Sequence, residues 1–219
     1  MFALDIQAKA NTPLRVLCLG AHSDDIEIGC GGLILDLIKR RRRVELDWIV
    51  FSAPTARQRE AHRSAALLMR GAARRNVAVH GFPDGFFPYE GGRIKKTFEK
   101  LKGDVAPDLI LTHYRDDRHQ DHRLLSDLTW NTFRNHFILE YEIPKFDGDL
   151  GAPNCFVALT RSTCARKVKH LSTVFGTQRD KHWFSEDTFM ALMRLRGMEC
   201  RAANGYAEAF YARKVVIAV

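Results

Sequence analysis

Mostly apolar, strand-prone stretches recur at residues 14–19, 44–51, 76–80 and 108–112. Runs of this kind read as strands buried on both faces of a parallel sheet. Helical patterns separate them. Residues 33–38 follow the first strand, and residues 56–71 form an amphipathic helix with Ala65, Leu68 and Met69 on one face. Residues 93–102 and 120–135 are further helices, the second beginning inside a polar cluster. Beyond them the pattern predicts short strands at 137–141 and 154–159, helices at 161–171 and 185–196, and a last strand at 214–219. Two segments are turn-rich: 81–92, with two prolines and several aromatics, and 144–153. The alternation predicts an α/β protein with a Rossmann-like, doubly wound, mostly parallel sheet flanked by helices. No repeat, linker or low-complexity tract divides the chain, so residues 1–219 read as a single domain.

Two polar clusters interrupt this pattern, each directly after a strand. Residues 21–32 read Ala-His-Ser-Asp-Asp-Ile-Glu-Ile-Gly-Cys-Gly-Gly, and residues 113–122 read His-Tyr-Arg-Asp-Asp-Arg-His-Gln-Asp-His. In open α/β sheets the carboxyl ends of the strands are where ligands bind. Imidazole and carboxylate together suit Zn²⁺ and similar divalent ions, and a catalytic zinc keeps three protein ligands and one open position. His22, Asp25 and one histidine of the second cluster supply that number. Gly29, Gly31 and Gly32 do not make a dinucleotide fingerprint, because carboxylates occupy the turn where a pyrophosphate would sit.

The paired motifs resemble those of the PIG-L/LmbE-like deacetylase superfamily, Ala-His-Pro-Asp-Asp and His-x-Asp-His. The likeness extends to the Gly-Cys-Gly-Gly run, an Arg-x-x-Glu-Ala element at Arg57, the Phe-Pro-Asp-Gly turn around Asp84, and Tyr-Ala-Glu-Ala-Phe from Tyr206. Ser23 stands where the family has proline, which removes a φ constraint but leaves the ligand positions intact.

The resemblance implies a zinc-dependent N-deacetylase, a hydrolase that removes an acyl group, usually acetyl, from the nitrogen of a GlcNAc-like amino sugar or its conjugate. It implies His22, Asp25 and His122 as metal ligands and Asp24 as the general base that activates water. His119 steadies the developing oxyanion and protonates the leaving amine, and Asp121 bonds His119, fixing its tautomer and favouring the imidazolium. Arg57 and Asp84 are the expected substrate-binding residues. Each has a plainer reading: Asp24 as a helix cap, Arg57 as a surface arginine, Asp84 as a turn former before glycine. His113 is an alternative third ligand, read here as a group beside the metal, and Asp116 and Asp117 read as loop caps or solvent-facing charges. Zn²⁺ is the expected ion, with Fe²⁺ also compatible with two imidazoles and one carboxylate. Two other readings stay open: an amidase for a thiol or natural-product sugar conjugate, and a non-catalytic basic module that binds sugar or nucleic acid.

Composition narrows these. The net charge is +8, and Arg40, Arg41, Arg42 and Arg43 follow Lys39. Cations at a helix C-terminus complement its dipole, and an acidic partner is the alternative reading. No nucleic-acid module or interleaved aromatics accompany the arginines, which speaks against nucleic acid. No apolar run is long enough to span a bilayer, and the first residues lack a signal-peptide pattern. Five cysteines without a CxxC pair read as reduced thiols in a cytoplasmic protein. The expected partner is a small N-acetylated sugar, with a homo-oligomer left open.

Overall fold

A computed structural model describes residues 3, 6, 12–40 and 43–216. Its centre is one sheet of seven strands: β1 (Leu14–Gly20), β2 (Val44–Val50), β3 (Arg74–Val79), β4 (Leu109–His113), β5 (Phe137–Tyr141), β6 (Cys155–Leu159) and β7 (Tyr206–Ala212). Their spatial order is β3-β2-β1-β4-β5-β7-β6. From β3 to β5 every pairing is parallel, and β7 runs antiparallel to both of its neighbours. The expected doubly wound, mostly parallel sheet is therefore present.

Six helices cover it: α1 (Asp25–Arg40), α2 (Thr55–Leu68), α3 (Gly91–Asp104), α4 (Gln120–Thr132), α5 (Arg161–Val174) and α6 (Glu186–Glu199). Strand side chains alternate between the two faces. Val16 and Cys18 of β1 join a core with residues of α1, α2, α5 and α6, while Leu17 and Leu19 join the opposite core with Ile94 and Phe98 of α3 and Leu125 of α4. No described helix is long and apolar enough to cross a membrane.

One expectation fails. Among the described residues the last strand is Tyr206–Ala212; residues 214–216 have no regular structure, and 217–219 lie outside the described residues, as do Arg41 and Arg42. The reason lies in Glu208. It breaks the apolar pattern of a strand wedged between β5 and β6, yet it is buried because α1 needs it.

That need arises from a break in α1. At Cys30 the backbone leaves helical geometry (φ −144°, ψ 18°). The Glu208 carboxylate accepts the N–H groups of Gly32 and Leu33, both at 2.7 Å, and so caps the second half of the helix. Lys167 of α5 donates to the Ile28 carbonyl at 2.5 Å and pairs with Glu208 at 2.6 Å. Backbone groups released by the break are thus satisfied by a buried ion pair rather than by water. Gly29 and Gly32 make the approach feasible. A Cβ on Gly29 would fall inside the Tyr141 ring, and one on Gly32 would lie 2.6 Å from Leu159 Cδ1.

Candidate metal centre

Strands β1 and β4 are neighbours at the middle of the sheet, where the chain stops winding one way and starts the other. Loops leaving their carboxyl ends diverge there and leave a crevice. After β1 the chain turns through Ala21 to Asp24 into α1. After β4 it runs through residues 114–119 into α4, with His119 as N-cap, its Nδ1 accepting the Asp121 N–H at 3.2 Å.

His22, Asp25 and His122, taken from these two loops, meet. His22 Nδ1 lies 3.2 Å from His122 Nε2 and 3.4 Å from Asp25 Oδ2, and His122 Nε2 lies 3.6 Å from Asp25 Oδ2. Metal bonds of about 2.0–2.1 Å in a tetrahedral site hold ligand atoms about 3.3 Å apart. All three residues are buried.

The tautomers decide what these atoms offer. His122 turns its other nitrogen, Nδ1, to Asp117 Oδ2 at 2.9 Å, so the proton sits there and Nε2 carries a lone pair. His22 turns Nε2 to Asp121 Oδ2 at 3.2 Å and Asp84 Oδ1 at 3.1 Å, which leaves Nδ1 facing inward. Two imidazole lone pairs and a carboxylate oxygen converging on one point require positive charge between them. A divalent cation supplies it, and in its absence a second proton on His22 does. Consistent with that demand, Asp25, Asp121 and Asp84 outweigh the effect of burial and raise the His22 pKa well above its usual value. Burial alone would raise the Asp25 carboxyl, yet His122, His113 and His22 hold it well below the usual carboxylate range.

His119 and His113 also approach this point, grouping with His22 and His122 and with Asp25 and His122 respectively. Each has one ring nitrogen already engaged by a backbone amide. His119 Nδ1 takes the Asp121 amide, and His113 Nε2 takes the Ala21 N–H at 3.0 Å. His113 instead stacks on His122 with ring centroids 3.9 Å apart and lies 3.2 Å from Asp25 Oδ2.

Asp24 is buried beside this cluster. Its carbonyl starts α1 by accepting the Ile28 N–H at 3.0 Å, but its carboxylate accepts no hydrogen bond from the described residues, so its side chain is not the helix cap. Burial, then the neighbouring Asp25, push its pKa up to about 6, with His22, Lys181 and Arg57 pulling the other way. Arg57 and Asp84 meet: Arg57 Nη1 donates to Asp84 Oδ2 at 3.0 Å, and Asp84 Oδ1 faces His22. Both Asp84 oxygens are engaged by protein groups, and its side chain remains 43% exposed.

Three expectations about the second cluster change. The Asp121 carboxylate does not bond His119; it accepts the N–H groups of Gly85 (2.7 Å) and Phe87 (3.1 Å) and holds His22. His119 is not favoured as an imidazolium, because burial and then His22 lower its pKa and its Nδ1 already accepts a proton donor. Asp117 is not solvent-facing. It is buried, orients His122, and accepts the His119 N–H at 2.7 Å. Burial alone would raise its carboxyl, but His122 and Lys145 hold it below the usual range. Its place five residues before His122 was the only signal in the chain for this role. Lys167, Glu208 and Lys145 carried no such signal.

Several solved structures share this fold over 94% of the chain. The conserved protein TT1542 from Thermus thermophilus is 19% identical, with a TM-score of 0.71 over 97% of its own length. The N,N'-diacetylchitobiose deacetylase of Pyrococcus horikoshii is 21% identical, with a TM-score of 0.70 over 86% of its length. GalB, the 4-carboxy-2-hydroxymuconate hydratase of Pseudomonas putida, is 16% identical, with a TM-score of 0.69 over 98% of its length. At these identities the likeness speaks for the fold, which serves more than one chemistry. The sequence is more specific. A profile of the PIG-L family, described as GlcNAc-PI de-N-acetylase, matches residues 17–133, from β1 through α4 and so across both loops of the cluster; the chain belongs to that family.

Proposed function

We propose that the protein is a metal-dependent N-deacetylase that hydrolyses the acyl amide, acetyl by preference, of a GlcNAc-like amino sugar or its conjugate. Family membership supports the reaction class. The observation that carries the chemistry is the convergence of His22 Nδ1, Asp25 Oδ2 and His122 Nε2 within 3.2–3.6 Å of one another. These residues would hold the ion, Zn²⁺ by default and Fe²⁺ by the same donor set. When bound, such an ion supplies Lewis acidity and makes nearby water more acidic.

The chain's own groups do the rest. Asp24, buried, free of hydrogen bonds from the described residues and shifted to about 6, accepts a proton from the attacking water and returns it to the departing amine. His119 works as a neutral donor. Its Nδ1 is occupied by the Asp121 amide, so its proton sits on Nε2, where it stabilises negative charge developing on the acyl oxygen. Asp121 and Asp117 fix the ring nitrogens of His22 and His122. Arg57 spends Nη1 on Asp84 and keeps its remaining N–H groups for substrate hydroxyls, while Asp84 serves to hold both Arg57 and His22.

The test is incubation of the Zn²⁺-loaded protein with a panel of N-acetylated amino sugars and conjugates, followed by mass spectrometry. Loss of one acetyl unit with release of acetate, abolished by chelation, is the expected result. Metal-loaded protein that binds these sugars without cleaving any of them would return the reading to a sugar-binding module. Hydration of an unsaturated carboxylic acid included in the panel, with no amide cleavage, would align the chain with the hydratase that shares its fold.

A further inference from the structure

A buried lysine stands out in the loop between β5 and β6. Phe146 and Asp147 beside it are exposed, yet the Lys145 side chain is only 7% exposed. Its Nζ lies 3.0 Å from Asp117 Oδ1, contacts Asp149 Oδ2 more closely still, and is 4.0 Å from Asp147 Oδ2. Asp149 in turn accepts the Arg118 N–H at 2.7 Å. Residues 145–149 therefore strap onto residues 117–118, at the entrance to the second motif.

We infer that Lys145 is a positioning residue for the metal centre: by anchoring the Asp117 carboxylate it sets the orientation of His122, which makes the loop of residues 144–153 part of the apparatus that determines metal affinity. The inference rests on the metal reading above and adds a residue that neither motif contains. The division of labour on Asp117 supports it. Oδ1 accepts the His119 N–H and forms an ion pair with the Lys145 ammonium, and Oδ2 is left for His122 Nδ1. With the ammonium removed from Oδ1 the carboxylate is freer to turn about its Cβ–Cγ bond, and the His122 ring is freer to turn with it. Burying an ammonium and two carboxylates is an inefficient way to stabilise a loop, since apolar packing of similar volume does as well or better. Control of a ligand's orientation is a use that apolar packing cannot replace.

The experiment uses the full chain and Co²⁺ as the probe, with binding followed by its visible absorption. Lys145→Met is expected to weaken Co²⁺ binding about tenfold or more, the range seen when partners of metal ligands are removed. Lys145→Arg, which keeps a cation at the site, is expected to retain most of the affinity. Because Lys145→Met strands two buried carboxylates, the double variant Lys145→Met/Asp149→Asn removes the surplus charge while an amide oxygen still accepts from Arg118. It is expected to melt like wild type in the presence of chelator and still bind Co²⁺ weakly. A folded double variant with wild-type Co²⁺ affinity overturns the inference alone. A wild-type chain that takes up no Co²⁺ overturns the metal reading and this inference with it.

Discussion

His122 Nε2 faces His22 Nδ1 across 3.2 Å, and each ring is held in that pose by a carboxylate on its opposite nitrogen. The pair is stable only with positive charge between the two atoms. The protein purified from Zn²⁺-containing medium should therefore carry stoichiometric metal, and His22→Ala or His122→Ala should lose nearly all of it while keeping wild-type circular dichroism. Elemental analysis of the folded variants decides this. Full occupancy in His122→Ala would move the third ligand to His113 or His119.

Asp24→Asn separates the proposed base from the proposed ligands. It leaves His22, Asp25 and His122 untouched and removes only the proton acceptor. Metal content should match wild type, while kcat falls about 10²–10⁴-fold, the usual contribution of a positioned acid or base. Unchanged turnover would end the assignment of Asp24 as base.

The glycines on either side of the break in α1 make different demands. Gly29→Ala drives a methyl into Tyr141, whose hydroxyl donates to the Leu19 carbonyl at 2.6 Å, and overpacking of this kind costs about 1–3 kcal/mol. At Gly31 the nearest atom to an added Cβ is Lys167 Cγ at 3.7 Å, an ordinary contact. Gly31→Ala should be neutral or stabilising by about 1 kcal/mol, since alanine favours helix. Thermal melting of the two variants distinguishes steric demand at Gly29 from a general need for glycine in the motif.

His170 predicts a pH effect on stability away from the metal centre. Its Nε2 lies 2.7 Å from Ser64 Oγ, and burial, with help from Arg166 and Arg63, lowers its pKa from the usual 6.5 to about 4. Between those values the unfolded chain binds more protons than the folded one. The contribution is therefore full above pH 6.5 and is lost as pH falls toward 4. Because His170 keeps partial exposure, its share is about 1–2 kcal/mol after screening. His170→Gln should flatten the wild-type decline in that window, as read from urea midpoints at a series of pH values; parallel curves would refute the assignment.

Much of this was legible in the chain. Strands β1, β2 and β4 are mostly apolar because both of their faces are covered, so composition alone located them. His22 and Asp25 stood out with one histidine of the second cluster, and the family resemblance pointed to His122 over His113. Strand β7 was hidden because Glu208, placed inward to cap a broken helix, reads as a surface residue. Asp117 and Asp121 sit four residues apart in one acidic run, and nothing local says which imidazole each one holds.

The sequence by itself determined the class of fold, the strand ends on which chemistry collects, and the types of ligand available, because these follow from periodicity and from residue chemistry at fixed spacing. Tertiary structure decided the pairing. It gave Asp121 to His22, Asp117 to His122 and Lys145 to Asp117, and it left Asp24 without a partner among the described residues. A hydrogen bond depends on where two side chains end in space, and here those ends are delivered by separate loops whose relative placement only the packed sheet defines.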